Sequence, residues 1–295
     1  MRAVLLTPLA AVLWLATPSP SPAWGFDVHR LLTDRALDLL PAPIRPFFDH
    51  HRAFIVEHAI DPDLWRPAGW TEESPRHFFD LDEYGQPPFA DVPREHDRAI
   101  ERYGAEFVRR AGTLPWRVSD VFGQLRRSFE EQARGGRNPA FTIAFQSAML
   151  AHYIQDAFVP LHAVKNYDGQ LTRQHGLHFR WETDLVDRYR SVLRIEPPAL
   201  HPVPDPRAFT FEVLEASFAK AEAIFAADRK AAEGREFYDD EYFERLFRET
   251  RPILEERLSK AVAGVASAIT AAWEAGGRPE LPVERKTAPR RIPRR

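Results

Sequence analysis

Residues 139–162 read PAFTIAFQSAMLAHYIQDAFVPLH. Pro139 has the fixed φ of a first helical position, and Pro160 stops whatever helix precedes it. From Ala140 to Phe158 the only formal charge is Asp156. A helix apolar on nearly every face is the buried centre of a domain made of other helices. Near its end, His152 and Asp156 are spaced i,i+4, so both side chains leave the same face one turn apart. A carboxylate buried there without a cation costs several kcal/mol. The stretch that sets the core therefore also carries an acid that needs a partner.

Helical period continues on both sides of this segment. Val28 to Leu40 places Leu31, Leu32, Leu37, Leu39 and Leu40 in one helix-length window closed by Pro41 and Pro43. Phe47 to Ile60 reads as a second helix. Residues 61–92, rich in Pro, Asp and aromatics, have no sustained period and are expected to be irregular; long loops in compact domains are usually functional. Further helices are predicted over 94–110, 116–133, 178–193, 209–232 and 240–275, with loops at 163–177 and 197–206. No alternating strand segment and no internal repeat is present. The fold class is all-α, a single-domain multi-helix bundle over residues 24–280.

The chain has 295 residues, 44% hydrophobic and 28% charged, which excludes wholesale disorder and a coiled coil. Forty basic and 43 acidic residues leave a net charge of −3, without the positive excess that drives non-specific nucleic-acid binding. The last 15 residues, 281–295, form a basic flexible tail, with six basic residues and no acid from Arg285 onward, so the body is acidic. Residues 1–23 have the form of a signal peptide: Arg2, the apolar run Val4 to Thr17, then Ser21-Pro22-Ala23. That run is too short to span a bilayer. Cleavage after Ala23 sends a soluble chain starting at Trp24 to the periplasm or the medium, with no transmembrane segment. Export makes disulfides available, yet the chain contains no cysteine. Bound metal is another way to staple a fold.

Chemistry concentrates in residues 152–182. His162 follows the first His–Asp pair, and His178 and Glu182 repeat the i,i+4 spacing on the next helix. A lone helical histidine is more often a hydrogen-bonded core residue, and one His–acid pair often only a surface contact. Two such pairs, with a third histidine between them and one pair on an apolar helix, have ligand spacing for zinc.

At this point the sequence resembles the zinc-dependent phospholipase C and S1/P1 nuclease superfamily. The central motif is His152-x3-Asp156-x5-His162, followed by His178-x3-Glu182. Upstream come Pro62-Asp63 and His77-Phe78-Phe79-Asp80. Trp24 stands at the cleavage point, and His29 lies five residues on. The resemblance implies an all-helical fold with three zinc ions. One would be held by Asp63, His77, His152 and Asp156, a second by His162, His178 and Glu182, and a third by Trp24, His29 and the bridging Asp156. It also implies phosphate-ester hydrolysis by activated water, with Asp63 as ligand and catalytic residue. Asp61 is the rival to Asp63, since a two-residue slip is open at this stage.

The substrate is a phospholipid or single-stranded nucleic acid, and features point both ways. Glu182 and the Pro-Asp and His-Phe-Phe-Asp sequences resemble the phospholipase branch. The Trp24-Gly25 start and Arg66, three residues after Asp63, resemble the nuclease branch, in which the arginine contacts phosphate. Asp27 is the candidate acid for a choline headgroup, although Leu64 and Ser74 stand where the phospholipases have aromatics. Trp65, Trp70, Phe78, Phe79, Tyr84 and Phe89 are expected to border the cluster, half or more of them as core. The favoured reading is a phospholipase C-like enzyme, with the nuclease second and a non-catalytic zinc-binding protein third. No obligate protein partner is implied.

Overall fold

A computed structural model describes residues 25–136 and 139–283. Among these, regular structure is helical throughout. The long helices are α1 (Phe26–Asp38), α2 (Arg45–His58), α7 (Leu114–Ala133), α8 (Pro139–Ala157), α11 (Pro206–Ala232) and α12 (Asp240–Ala275). Short pieces α3 (Asp61–Trp65), α4 (Leu81–Tyr84), α5 (His96–Tyr103), α6 (Ala105–Arg110), α9 (Leu177–Phe179) and α10 (Leu185–Tyr189) join them. No described helix is long and apolar enough to cross a membrane.

As its composition predicts, α8 is the axis, and α1, α2, α7, α11 and α12 all pack on it. From Ser147 to Ala157 every side chain of α8 is buried. Removing a leucine or isoleucine side chain from water contributes about 1.5–3 kcal/mol, so the unbroken apolar run supplies much of the core. The end of α8 is fixed from outside. Ser217 of α11 donates to the Ala157 carbonyl at 2.6 Å, and the buried Arg257 of α12 donates to the Phe158 carbonyl at 3.0 Å. These bonds satisfy acceptors that a helix terminus leaves unpaired and hold the turn that carries Asp156. On α12, Gly264 leaves room for Phe158: a Cβ there would lie 2.8 Å from its ring.

Three local expectations need correction. The helix predicted over 94–110 is two helices, broken at Gly104 with φ +85°, a conformation that costs glycine little. The segment 61–92 is not wholly irregular, since it contains α3, a 3-10 turn at Thr71–His77 and α4. The helix predicted over 178–193 is composite: α9, a π-helical turn at Arg180–Asp184, then α10. Such turns are rare and often lie at functional sites; this one carries Glu182.

Candidate metal centre

Each candidate ligand among the described residues is buried, and together they come from several segments of the fold. His29 is on α1, Asp63 on α3, His77 ends the 3-10 turn, His152 and Asp156 lie on α8, and His162 sits in the 3-10 turn after Pro160. His178 and Glu182 come from α9 and the π-turn. The strand-like link Phe78–Asp80 places His77. Phe79 N donates to the His162 carbonyl at 2.9 Å and Asp80 N to the Ala111 carbonyl at 2.8 Å. Gly112 makes this possible: with φ +94°, a Cβ there would meet the Phe78 carbonyl oxygen at 2.1 Å.

Asp156 is the hub. Its carboxylate lies 3.0 Å from His77 Nδ1, 3.3 Å from His152 Nε2, 3.5 Å from His29 Nε2 and 3.9 Å from His162 Nδ1. His152 Nε2 and His77 Nδ1 are 3.0 Å apart. Two ligands at about 2.1 Å from a tetrahedral zinc lie about 3.4 Å from each other, so these separations fit donors gathered around cations. Asp63 joins through Oδ1, 3.6 Å from His77, and Oδ2, 4.0 Å from His29. The second focus is His162, His178 and Glu182. Here the two Nε2 atoms face each other at 2.9 Å, and Glu182 is 3.0 Å from His178 and 3.8 Å from His162. Three sets of donors are close enough to share an ion: His29, Asp63 and His152; His77, His152 and Asp156; and His162, His178 and Glu182.

The donor chemistry fits zinc on a second count. Asp63 Oδ2, Asp156 Oδ1, Glu182 Oε2, His29 Nε2 and His162 Nδ1 are buried with no hydrogen-bond partner among the described residues. A buried polar atom left this way costs about 1–3 kcal/mol, and more if charged. Asp156 also lies at the C-terminal end of α8, where the helix dipole disfavours an anion. A divalent cation answers both penalties.

The outer groups set the tautomers. His152 Nδ1 donates to the Ala59 carbonyl at 2.8 Å, and His29 Nδ1 to Gln155 Oε1 at 2.6 Å, which leaves each Nε2 lone pair turned inward. Gln155 is held in turn by Thr33 at 2.8 Å. Such partners orient metal ligands and raise their basicity. Burial pushes His29 down to about 3, helped by His152, and pushes His162 and His178 down to about 4. These imidazoles are therefore neutral, the form that ligates. Burial drives Glu182 well above the usual carboxylate range. Burial also pushes Asp156 upward and His152 downward, but without metal their mutual attraction outweighs both, raising His152 and holding Asp156 low; a zinc ion at His152 Nε2 would take the place of that proton.

The remaining sequence candidates fall in different places. Asp61 pairs with His58 at 2.8 Å, and none of the three donor sets includes it, whereas Asp63 belongs to one. Arg66 is at the cluster, 2.5 Å from Asp63. Asp27 is not gathered in; it faces solvent and pairs with Arg30 at 3.3 Å. Trp24 lies outside the described residues. Of the aromatics, Phe79, Tyr84 and Phe89 are core, while Trp70 is 61% exposed and packs on Trp65 at 5.6 Å. Sequence reasoning missed Gln155 and the carbonyl of Ala59, and also Glu73. Buried Glu73 lies four residues before His77 and 3.7 Å from its Nε2; that i,i+4 spacing was its only signal.

A family model described as zinc dependent phospholipase C matches residues 28–248, more than half of the chain. The protein therefore belongs to the zinc-dependent phospholipase C family, within the superfamily that includes P1 nuclease, and is a zinc-dependent phosphoric ester hydrolase. No curated protein matches its sequence. Zinc held among these donors supplies Lewis acidity and positive charge to a phosphate ester.

Proposed function

We propose that the protein is an exported phospholipase C-type phosphodiesterase that holds three zinc ions and cleaves phospholipids at the phosphate. In this reading the ligands are Asp63, His77, His152 and Asp156 for one ion, and His162, His178 and Glu182 for the second. The third is held by His29, Asp156 and the terminal Trp24 left by signal cleavage. The closeness of His29 to Asp63 supports Asp63 as a ligand shared with the third ion. Arg66 fixes Asp63 Oδ1 while Oδ2 stays unpartnered, so in this reading Asp63 serves as ligand at the edge of the site and as the carboxylate that orients the attacking water.

The observation that carries the lipid reading is the apolar surface beside the ligands. Leu64 directly follows Asp63 and is 42% exposed; Phe179 directly follows His178 and is 41% exposed. Tyr167, half exposed, packs edge-on against the His178 ring at 5.6 Å. Exposed apolar groups around a site fit a lipid surface better than water. The nuclease reading is favoured by one arrangement, the tilted Trp65–Trp70 pair flanking Arg66 in the chain, which offers base stacking next to a phosphate contact. The deciding experiment presents zinc-loaded protein starting at Trp24 with phosphatidylcholine vesicles and with single-stranded DNA. Phosphocholine release without DNA cutting supports the phospholipase reading; the reverse result replaces it with the nuclease.

A further inference from the structure

A cavity of about 320 Å³ opens between the Thr71–His77 turn, α5, α6 and the start of α7. Arg76, Arg109, Arg117 and His96 line it, with Trp116 as its apolar wall. Arg76 is balanced by Glu73, whose Oε2 is 2.6 Å away. The other two arginines are not balanced. Among the described residues, neither Arg109 nor Arg117 has a carboxylate within ion-pair distance, although Glu72 and Asp120 stand at the same cavity. Arg117 donates to the Tyr153 hydroxyl at 3.1 Å and lies over that ring at 4.8 Å, while its Nε is buried without a partner.

We propose that this cavity is a second anion site, which binds a small phosphomonoester dianion. Guanidinium groups match tetrahedral oxyanions through paired N–H donors, and two that lack an ion-pair partner of their own suit a doubly charged ligand better than a carboxylate. The volume admits a phosphate with a small substituent. The site does not depend on what the zinc centre hydrolyses. It is linked to that centre only indirectly: Arg117 and Arg76 of the cavity contact Tyr153 and Glu73, and Glu73 also lies 3.7 Å from His77 Nε2.

The test is calorimetric titration of the zinc-loaded protein starting at Trp24 with inorganic phosphate and, separately, with phosphocholine. The zinc centre also takes phosphate, so the wild-type protein is expected to titrate in separate steps, one of which belongs to the cavity. Arg109→Glu, a change at an exposed side chain, should weaken that step by at least about tenfold, while Arg109→Lys keeps most of it. The zinc step should persist in both. If phosphocholine binds only at the zinc step while inorganic phosphate fills both, the site holds free phosphate. A single step in the wild-type protein, or steps that Arg109→Glu leaves unchanged, would overturn the proposal.

Discussion

Asp156 and Asp228 are both fully buried carboxylates, yet their surroundings differ in kind. Asp228 Oδ1 accepts from Arg180 at 3.1 Å and from the Tyr242 hydroxyl, and its Oδ2 accepts from Gln174 at 2.7 Å. Arg180 is itself spent on Tyr242 at 2.9 Å and on the His175 carbonyl at 2.6 Å. That network is complete with protein atoms alone. Asp156 is ringed by four histidines, mostly held neutral by burial, and keeps an unpartnered oxygen. One region is a clamp and the other a socket. The clamp also serves the socket, since Arg180 opens the π-turn that presents Glu182.

The sharpest way to break this contrast is to remove a ligand. His152→Ala or His178→Ala should release zinc, read by metal analysis. Hydrolysis of bis-p-nitrophenyl phosphate should fall by about 10²–10⁴-fold, or to background. Normal turnover in either variant would remove these residues from the centre.

Next in size is the clamp. Asp228→Ala leaves Arg180 buried and unpaired, at a cost of about 3–5 kcal/mol, visible in thermal or urea unfolding with and without chelator. Glu182→Gln should behave oppositely in the two states. In chelated protein it removes a poorly solvated acid and leaves the melting temperature level or higher; in zinc-loaded protein it lowers it. Equal shifts in both states would erase the difference between clamp and socket.

A smaller effect is expected one layer out. Gln155→Leu frees the His29 tautomer and should lower zinc affinity by about 10–100-fold, with the fold kept. Competition with a chelator of known strength reads this directly.

The last effect is read through pH and concerns Asp80, buried beside Asp82 and Glu83. Burial, with those two charges, pushes Asp80 up to about 8 from 3.8. Between these values the folded state holds a proton that the unfolded chain has lost, so stability falls as pH rises through the window. Asp80→Asn should raise the melting temperature at pH 8, change it little near pH 4, and flatten the slope between them.

Much of this was legible in the chain because α8 states its burial by composition and its function by spacing. The pairs His152–Asp156 and His178–Glu182 needed only helical periodicity, and α12 begins and ends where its pattern does. What stayed hidden depends on contacts between distant segments. Local pattern does not separate Asp61 from Asp63; the fold does, by turning one toward His58 and the other toward His29. The π-turn has no sequence period of its own. The Ala59 carbonyl is invisible to any argument from side chains, yet it fixes the tautomer of a central histidine. Asp27, named as a headgroup acid by the family resemblance alone, lies on α1 with its side chain exposed and paired with Arg30.

The most direct test of the central claim, that buried donors without protein partners are there to hold zinc for phosphate-ester hydrolysis, is removal and return of the metal. Protein stripped by chelator, with zinc loss verified, should melt several degrees lower and lose bis-p-nitrophenyl phosphate hydrolysis; stoichiometric zinc should restore both. Stripped protein with an unchanged melting temperature and undiminished turnover would contradict the account.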